Sequence, residues 1–291
     1  MAWAGSAAAS TRAPACVLHS GGVSAATDTT RALLRACHPG PAFAVTVLTV
    51  LLAMSWDASA GTALLVGAAA LSGQLSVGWS NDLVDRHRDR VVGRQDKPLV
   101  TGAVRVSTVR RAVAVALVLT AVTSLALGPA PGFLHLGLVA AGWAYNLGVK
   151  RSVLSWLPYA VCFGCLPLVV SLAVRGEGVP AWMPVAGALL GTGAHLVNAV
   201  PDLEDDRVTG VNGLPHRLGA RWSLDLATIL LLAGSAVVVL VPAGPVGAAG
   251  FATLTLVVVL VLIGRVAPGR GAFHATIGVA LVDVIALLAR S

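Results

Sequence analysis

Charged residues are unusually scarce in this sequence. Lys, Arg, Asp and Glu make up 11% of the 291 residues, whereas a soluble domain is typically about a quarter charged. Hydrophobic residues make up 56%, and the mean hydropathy is +0.83. This balance excludes an ordinary soluble domain and indicates an integral membrane protein. The net charge of +7 does not indicate a nucleic-acid partner, because the basic residues lie between apolar runs, where they set membrane orientation.

Cysteine is too rare to define a metal or redox site. The chain has four cysteines, Cys16, Cys37, Cys162 and Cys165, and the last two form a C-x-x-C pair inside an apolar run. No second cluster of Cys or His completes a zinc set. We therefore interpret Cys162 and Cys165 as two small side chains on one helix face.

The N-terminal segment lacks a long apolar run. Residues 1–38 are rich in Ala, Ser and Thr, and they show no apolar region typical of a signal peptide. We expect a mostly disordered cytoplasmic tail that becomes helical near Arg31 to Cys37. The transmembrane domain is expected to occupy residues 39–291.

Nine apolar segments of membrane-spanning length follow this tail. Their approximate limits are 40–56, 60–80, 104–127, 131–148, 152–174, 180–200, 222–242, 245–266 and 271–289. If the N-terminus is cytoplasmic, alternation of the segments leaves only Arg175 and Arg290, of the 20 Lys and Arg residues, on the outer side. The sequence therefore predicts an all-α integral membrane protein with nine transmembrane helices and a cytoplasmic N-terminus.

The few acidic residues are concentrated at two places on the predicted inner side. Eight of the 13 form two clusters: Asp82, Asp85, Asp89 and Asp96, and then Asp202, Glu204, Asp205 and Asp206. The two clusters repeat one pattern, N-x-x-x-D-x-x-x-D-R-V-x-G. It reads NDLVDRHRDRVVG at 81–93 and NAVPDLEDDRVTG at 198–210.

The repeated pattern predicts two acidic stripes, because residues four apart share one face of an α-helix. The stripes are Asn81, Asp85 and Asp89, flanked by Asp82, and Asn198, Asp202 and Asp206, flanked by Asp205. Carboxylates on one face repel each other unless a cation lies among them, and Mg2+ commonly binds carboxylate and phosphate oxygens. The alternative is a solvated face beside the membrane. The repetition favours two or three Mg2+ ions that clamp a diphosphate between the stripes.

Basic residues flank both stripes and are candidates to bind the diphosphate, whose negative charge grows as it leaves. The candidates are Arg94, Lys97, Lys150, Arg207 and Arg217. For any single one of them, contact with lipid headgroups is the alternative. Lys97 is the strongest candidate, because it lies in a Lys-Pro turn close to the first stripe.

These motifs resemble those of the UbiA superfamily of intramembrane prenyltransferases. NDLVDRHRD resembles the family's NDxxDxxxD motif, DLEDDRVTG its DxxxDxxxG motif, and DKPLVTG its (K/R)-P-L-x-x-G turn. YNLGVKR at 145–151 resembles the family's Tyr–Lys-Arg loop. The resemblance covers about residues 35–290. It implies nine transmembrane helices around a central cavity, with Mg2+ and an isoprenyl diphosphate bound at the cytoplasmic end.

The resemblance also implies roles for individual residues. The implied metal ligands are Asp82, Asp85, Asp89, Asp202 and Asp206, with Asp205 beside them. The implied diphosphate and catalytic contacts are Asn81, Asn198, Lys97, Lys150 and Tyr145. The chain departs from the family pattern after Gly210, where GVNGLPHRLG lacks the usual basic residue. Arg217 is the candidate substitute for it.

Two enzyme activities fit these motifs. In a prenyltransferase, the isoprenyl diphosphate ionises and an acceptor, often an aromatic ring, captures the cation. In a terpene cyclase of the same superfamily, the double bonds of the substrate capture it. The aromatic content of 5% favours the transferase, because cyclases usually surround the cation with aromatic faces. Tyr145, Tyr159 and Trp156 are the candidates for such a role.

A transporter is the third reading, and it belongs to a different class. It predicts ionisable residues near the middle of the membrane, and only Asp283 within the last segment fits. The richness in Ala, Val, Gly and Arg is typical of a bacterial genome of high GC content. We therefore expect a bacterial plasma membrane protein whose active site faces the cytoplasm. Its expected partners are an isoprenyl diphosphate, an aromatic acceptor and the bilayer.

Overall fold

The computed structural model describes residues 21–267 and 269–288, and every regular element in those ranges is helical. The α-helices are α1 (Gly21–Ala36), α2 (Pro39–Met54), α3 (Ala60–Val91), α4 (Pro98–Thr101), α5 (Val106–Ala126), α6 (Pro129–Leu147), α7 (Leu157–Val174), α8 (Trp182–Ala199), α9 (Leu203–Val208), α10 (Leu214–Leu240), α11 (Ala248–Val266) and α12 (Gly271–Leu288). Short 3-10 turns, Val149–Arg151 and Val200–Asp202, follow α6 and α8. The predicted all-α class is confirmed for these residues.

Seven helices in the described ranges are long and apolar enough to cross a membrane. They are α3, α5, α7, α8 continued by α9, α10, α11 and α12, and the bent pair of α1 and α2 would make an eighth. Each of the nine predicted segments contains a helix. However, α2 has only 16 residues, and the 19 residues of α6 include the polar His135 and Asn146. The chain is a multi-pass membrane protein, and the number of nine spans stays a prediction.

The second acidic segment is not one continuous helix. α8 ends at Ala199, residues 200–202 form a 3-10 turn, and α9 begins at Leu203. Pro201 explains the break, because proline lacks the N–H of a helical hydrogen bond and its ring clashes with the preceding turn. The prediction of a regular α-helix is therefore wrong for this segment, although Asn198, Asp202 and Asp206 still line one common cavity. It is correct for the first segment, which lies on the unbroken helix α3.

The helices pack as a ring that closes between α12 and α2. Contacts join α2 to α3, α3 to α6, α6 to α7, α7 to α8, α8 to α10, α10 to α12, and α12 to α2. α5 packs outside this ring against α3 and α6, and α11 packs outside it against α10 and α12. The ring surrounds a cavity, and the residues that line it come from the ring helices and their connections rather than from α5 or α11.

Glycine allows α7 and α8 to approach each other closely. A Cβ atom on Gly191 would lie 2.7 Å from the Tyr159 carbonyl oxygen and 2.7 Å from Phe163 Cβ. Any larger residue would push the two helices apart. The close approach places Tyr159 of α7 beside His195 of α8, with 4.9 Å between the ring centroids.

α1 packs against the end of the bundle that carries the acidic residues. Trp79 of α3 donates a hydrogen bond from Nε1 to the Leu33 carbonyl oxygen at 2.9 Å. Cys37 and His38 join α1 to α2 at a bend of 68°, and His38 takes a left-handed conformation with φ 56°. The part of the predicted tail before residue 21 lies outside the described residues.

Candidate active site

The cavity inside the ring has a volume of about 440 Å³. One face of α8 lines it from Met183 to Asn198, and at 1.5 Å per residue this face is roughly 22 Å long. Acidic and basic side chains lie at the end near Asn198. Apolar side chains such as Leu48, Leu190 and Leu287 line much of the remainder. The cavity therefore joins a highly charged end to a long apolar chamber.

Asn81, Asp85 and Asp89 lie on the cavity face of α3, whereas Asp82 points away from the cavity. The Asp82 side chain is 1% exposed, and its Oδ1 accepts a hydrogen bond from Lys97 Nζ at 2.6 Å and contacts His38 Nε2 at 3.0 Å. Lys97 Nζ and His38 Nε2 are themselves 3.0 Å apart. Asp82 therefore anchors the bend between α1 and α2 and holds Lys97, which does line the cavity.

Asp85 pairs with Lys150, which lies on the 3-10 turn after α6. Lys150 Nζ donates to both Asp85 oxygens at 2.6 Å, and it lies 3.3 Å from Asn81 Oδ1. The side chains of Asp85 and Lys150 are each 7% exposed. Burial lowers the pKa of Lys150, and the Asp85 carboxylate acts in the opposite direction. The pair fixes an ammonium group at the charged end of the cavity.

Arginine side chains connect the two acidic segments. Arg88 Nη2 lies 3.3 Å from Asp85 Oδ2 and 3.4 Å from Asp206 Oδ1. Arg94 Nη1 donates to Asp202 Oδ1 at 3.0 Å. These contacts bridge helix α3 and its following loop to the α8–α9 segment. They show that the two acidic segments, which share the repeated sequence pattern, face each other across the charged end of the cavity.

Further contacts balance the remaining carboxylates. Arg94 also donates to both oxygens of Asp96, and these hydrogen bonds lower the pKa of that carboxyl to about 2. Asp205 Oδ2 is 3.8 Å from Arg94 Nη1, and Arg270 of the α11–α12 connection is 3.9 Å from Asp202 Oδ2. His216 Nε2 lies 3.1 Å from Asp206 Oδ2.

Asp89 is the exception among the cavity-lining carboxylates. It is 7% exposed, and its side chain makes no hydrogen bond or ion pair with any other described residue. Residues 21–267 and 269–288 contain no group of three His, Cys, Asp or Glu side chains arranged to hold a metal ion at once. The oxygen donors suit a hard cation, and Asp85 and Asp206 contact the same guanidinium nitrogen. The donor chemistry therefore fits Mg2+, while basic side chains occupy most of the oxygens.

Aromatic rings lie at the junction of the charged end and the apolar chamber. Tyr145 and Tyr159 meet edge to face with 5.4 Å between centroids, and Phe163 stacks on Tyr159 at 6.4 Å. Asn198 Nδ2 is 3.5 Å from Tyr159 Oη. Tyr145, Tyr159 and Phe163 line the cavity, whereas Trp156 does not.

Most of the predicted site residues come together. Those that line the cavity are Asn81, Asp85, Asp89, Arg94, Lys97, Tyr145, Lys150, Asn198, Asp202, Asp205 and Asp206. Asp82 lies behind Lys97. Arg207 and Arg217 are exposed and donate to the backbone oxygens of His216 and Asn212 respectively, so the structure does not bring these two predicted diphosphate contacts to the cavity.

Four residues of the charged end were not predicted from the sequence: His38, Arg88, His216 and Arg270. Arg88 had a usable signal, because it is seven residues after Asn81 and three after Asp85, and both spacings return to the same helix face. His216 had none, since tertiary packing brings it to Asp206. In GVNGLPHRLG, His216 rather than Arg217 is the side chain that reaches the acidic segment.

Fold and site together define a multi-pass membrane protein with an acidic and basic cluster at one end of an apolar cavity. The sequence profile of the UbiA prenyltransferase family matches residues 42–268. The chain belongs to the UbiA prenyltransferase family, which confirms the resemblance seen in its motifs.

A curated relative supports this membership. The Bacteriochlorophyll synthase 33 kDa chain of Cereibacter sphaeroides is 36% identical in an alignment of length 187 that covers 58% of this chain. The alignment spans 60% of the length of that relative.

Solved structures share the fold. The apo structure of a UbiA homolog from Aeropyrum pernix K1 has a TM-score of 0.71 at 19% identity, and the match covers 86% of this chain and 97% of that one. A UbiA homolog from Archaeoglobus fulgidus bound to GPP and Mg2+ has a TM-score of 0.66 at 19% identity, covering 89% and 99%.

Proposed function

We propose that this protein is a Mg2+-dependent intramembrane prenyltransferase that ionises an isoprenyl diphosphate and transfers the prenyl group to an aromatic acceptor. The observation that carries the proposal is the division of one cavity into a charged end and an apolar chamber. An isoprenyl diphosphate has the same division, with an anionic head and a hydrocarbon tail. The family membership and the GPP and Mg2+ in the Archaeoglobus fulgidus structure support this substrate class.

The acidic residues are the proposed ligands for two or three Mg2+ ions. The proposed ligand set is Asp85, Asp89, Asp202, Asp205 and Asp206, with Asp82 behind them. Bound Mg2+ would neutralise the diphosphate and favour its departure. The unpartnered Asp89 carboxylate is the one that needs no rearrangement to accept a cation.

The basic residues are proposed to hold the diphosphate and to stabilise it as it leaves. Lys97, Lys150 and Arg94 line the charged end, and fixed cations there stabilise negative charge that develops on a leaving group. Asp82 and His38 hold Lys97 in place through contacts of 2.6 and 3.0 Å. Asp85 holds Lys150 in the same way.

The apolar chamber is proposed to protect the allylic cation. Its Leu and Val walls exclude water, which would otherwise capture the cation. Tyr145 and Tyr159 lie between the charged end and the chamber, and their ring faces can stabilise a nearby positive charge. An aromatic acceptor bound beside these two tyrosines would meet the cation close to the departing diphosphate.

We further propose that the protein spans a bacterial plasma membrane nine times, with its N-terminus and active site on the cytoplasmic side. The clustering of Lys and Arg between the predicted segments supports this orientation. Cysteine accessibility labelling in intact cells would test it. A label on a cysteine introduced at the exposed Glu204 from outside the cell would contradict it.

The proposed activity is tested with the purified full-length protein in detergent. Ten-, fifteen- and twenty-carbon prenyl diphosphates are supplied with Mg2+, with and without a panel of phenolic and chlorophyll-type acceptors. We expect a prenylated acceptor that disappears with EDTA. A defined cyclic hydrocarbon formed without acceptor would instead identify a terpene cyclase.

A matched pair of variants ties this activity to the site. Asp202→Asn removes a cavity-lining carboxylate that is 32% exposed, so the fold should persist, and turnover should fall about 100-fold or more. Glu204→Gln removes an exposed carboxylate of α9 that does not line the cavity. It should leave turnover unchanged. Equal activity in Asp202→Asn and wild type would contradict the metal-site assignment.

A further inference from the structure

Arg88 occupies the gap between the two acidic segments. It follows Asp85 by one helical turn on the cavity face of α3, and its Nη2 atom contacts both Asp85 and Asp206. An arginine keeps its charge at any physiological pH. Arg88 is therefore a permanent cation placed between two carboxylates that the proposed function assigns to Mg2+.

The contacts of Arg88 leave much of its guanidinium unused. Nε and Nη1 are buried, and neither has a hydrogen-bond partner among the described residues. The side chain is only 15% exposed, so water does not readily replace the missing partners. Each of the two N–H forks of a guanidinium, Nε with Nη2 and Nη1 with Nη2, includes Nη2, which here contacts the carboxylates. Once Arg88 leaves the carboxylates, either fork can bind a phosphate through two parallel hydrogen bonds.

We propose that Arg88 makes metal binding depend on the diphosphate, an inference that rests on the proposed function. Without substrate, Arg88 neutralises Asp85 and Asp206 and competes with Mg2+ for their oxygens. When the diphosphate binds, Arg88 turns its free N–H groups to the phosphate oxygens and releases the two carboxylates. Asp85 and Asp206 would then be free to hold Mg2+ together with the diphosphate.

The coupling between Mg2+ and diphosphate depends on which anionic groups are available to the Arg88 guanidinium. Mg2+ alone would displace Arg88 from its carboxylates and leave a buried cation without a partner, which is unfavourable. A diphosphate supplies a new anionic partner for the displaced group. Each ligand therefore strengthens the binding of the other, and this effect is reciprocal.

The test measures binding rather than turnover. Thermal unfolding of the purified full-length protein is followed with Mg2+ alone, inorganic diphosphate alone, and both together. In the wild type, the two ligands together should raise the unfolding midpoint by more than the sum of their separate effects. In Arg88→Gln, the apparent Kd for Mg2+ alone should decrease by about 10-fold, which is within the usual range for coupled sites, and the extra gain from diphosphate should shrink.

Arg90→Gln is the matched control. Arg90 lies two positions further along α3, is exposed, and its side chain has no ion pair among the described residues. Arg90→Gln removes the same positive charge as Arg88→Gln, but it should bind Mg2+ and diphosphate as the wild type does. The fold of Arg88→Gln should persist, because Asp85 keeps Lys150 and Asp206 keeps His216. If Arg88→Gln does not fold, Arg88→Lys serves instead. Arg88→Lys keeps the positive charge that competes with Mg2+ but lacks the paired N–H groups. The affinity for Mg2+ alone should therefore stay weak, and the extra rise in the unfolding midpoint with diphosphate should become smaller.

The outcomes separate this inference from the proposed function. A wild-type protein that does not respond to Mg2+ and diphosphate together would overturn both. A normal wild-type response, with Mg2+ binding in Arg88→Gln equal to that in Arg90→Gln, would overturn the role of Arg88 alone. Full wild-type coupling in Arg88→Lys would likewise overturn it, because that variant lacks the paired N–H groups.

Discussion

Replacing Lys150 by methionine should destabilise the protein, and replacing its partner Asp85 as well should restore most of the stability. The two side chains are each 7% exposed, and both Asp85 oxygens lie 2.6 Å from Lys150 Nζ. Removing one partner of a buried ion pair costs about 3–5 kcal/mol, because the other charge stays buried without compensation. Arg88, 3.3 Å from Asp85, compensates part of that charge. We therefore expect Lys150→Met to lower the free energy of unfolding by about 3 kcal/mol, the lower end of this range.

The double variant Asp85→Asn with Lys150→Met has no buried charge left at this pair. Replacing both members of a buried ion pair is often nearly neutral, so its stability should return to within about 1 kcal/mol of the wild type. Both variants should lack transfer activity, since the proposed ammonium contact to the diphosphate is gone. Stability and activity should thus respond differently to the second substitution.

The assay is thermal unfolding in detergent, followed by the fluorescence of the seven tryptophans. A loss of 3 kcal/mol should lower the unfolding midpoint by about 6 °C, at about 2 °C per kcal/mol for a chain of this length. Arg151→Met is the control, because Arg151 is the exposed neighbour of Lys150 on the same turn. A wild-type midpoint for Lys150→Met, or a double variant no more stable than Lys150→Met, would refute the reasoning.

Two further substitutions test the surroundings of the cavity. A Cβ atom in Gly78→Ala would overlap the Cys37 carbonyl oxygen, so the free energy of unfolding should decrease by about 1–3 kcal/mol. The variant should also be less active, because the clash moves the neighbouring His38. An unchanged unfolding midpoint would contradict this packing. Asp283 accepts a hydrogen bond from Ser235 at 2.7 Å, but its other buried oxygen has no partner. Asp283→Asn, which keeps an acceptor for Ser235 and removes the buried acid, should therefore raise the midpoint by roughly 2 °C, about 1 kcal/mol. A lower midpoint would contradict this reasoning.

The helices could be predicted from sequence because apolar run length is a local property. Each of the nine predicted segments contains a helix, and the glycines that end the repeated pattern, Gly93 and Gly210, both have a positive φ. The number of spans is harder to predict, since short or polar helices such as α2 and α6 gain stability from neighbours rather than from lipid. The break at Pro201 could have been predicted, because proline disrupts helices locally.

The site was only partly predictable. The repeated phrase identified the acidic residues, and eleven predicted residues line one cavity. Helical spacing separated Asp82 from the stripe of Asn81, Asp85 and Asp89. It did not identify the partners of these residues. Position beside the second stripe suggested Arg207 and Arg217 as diphosphate contacts, but both lie outside the cavity lining.

The sequence by itself determined the membrane class, the family and the two acidic phrases, because composition and short motifs are properties of neighbouring residues. Only the tertiary structure decided which charges meet. Lys150 reaches Asp85 across 65 positions of sequence, and Arg88 reaches Asp206 across 118. Such pairings depend on how distant helices are rotated and packed. The sequence shows which basic residues lie near the membrane, but it does not show which of them contacts a given carboxylate. Arg88 is therefore visible as the link between the two acidic segments only in the folded protein.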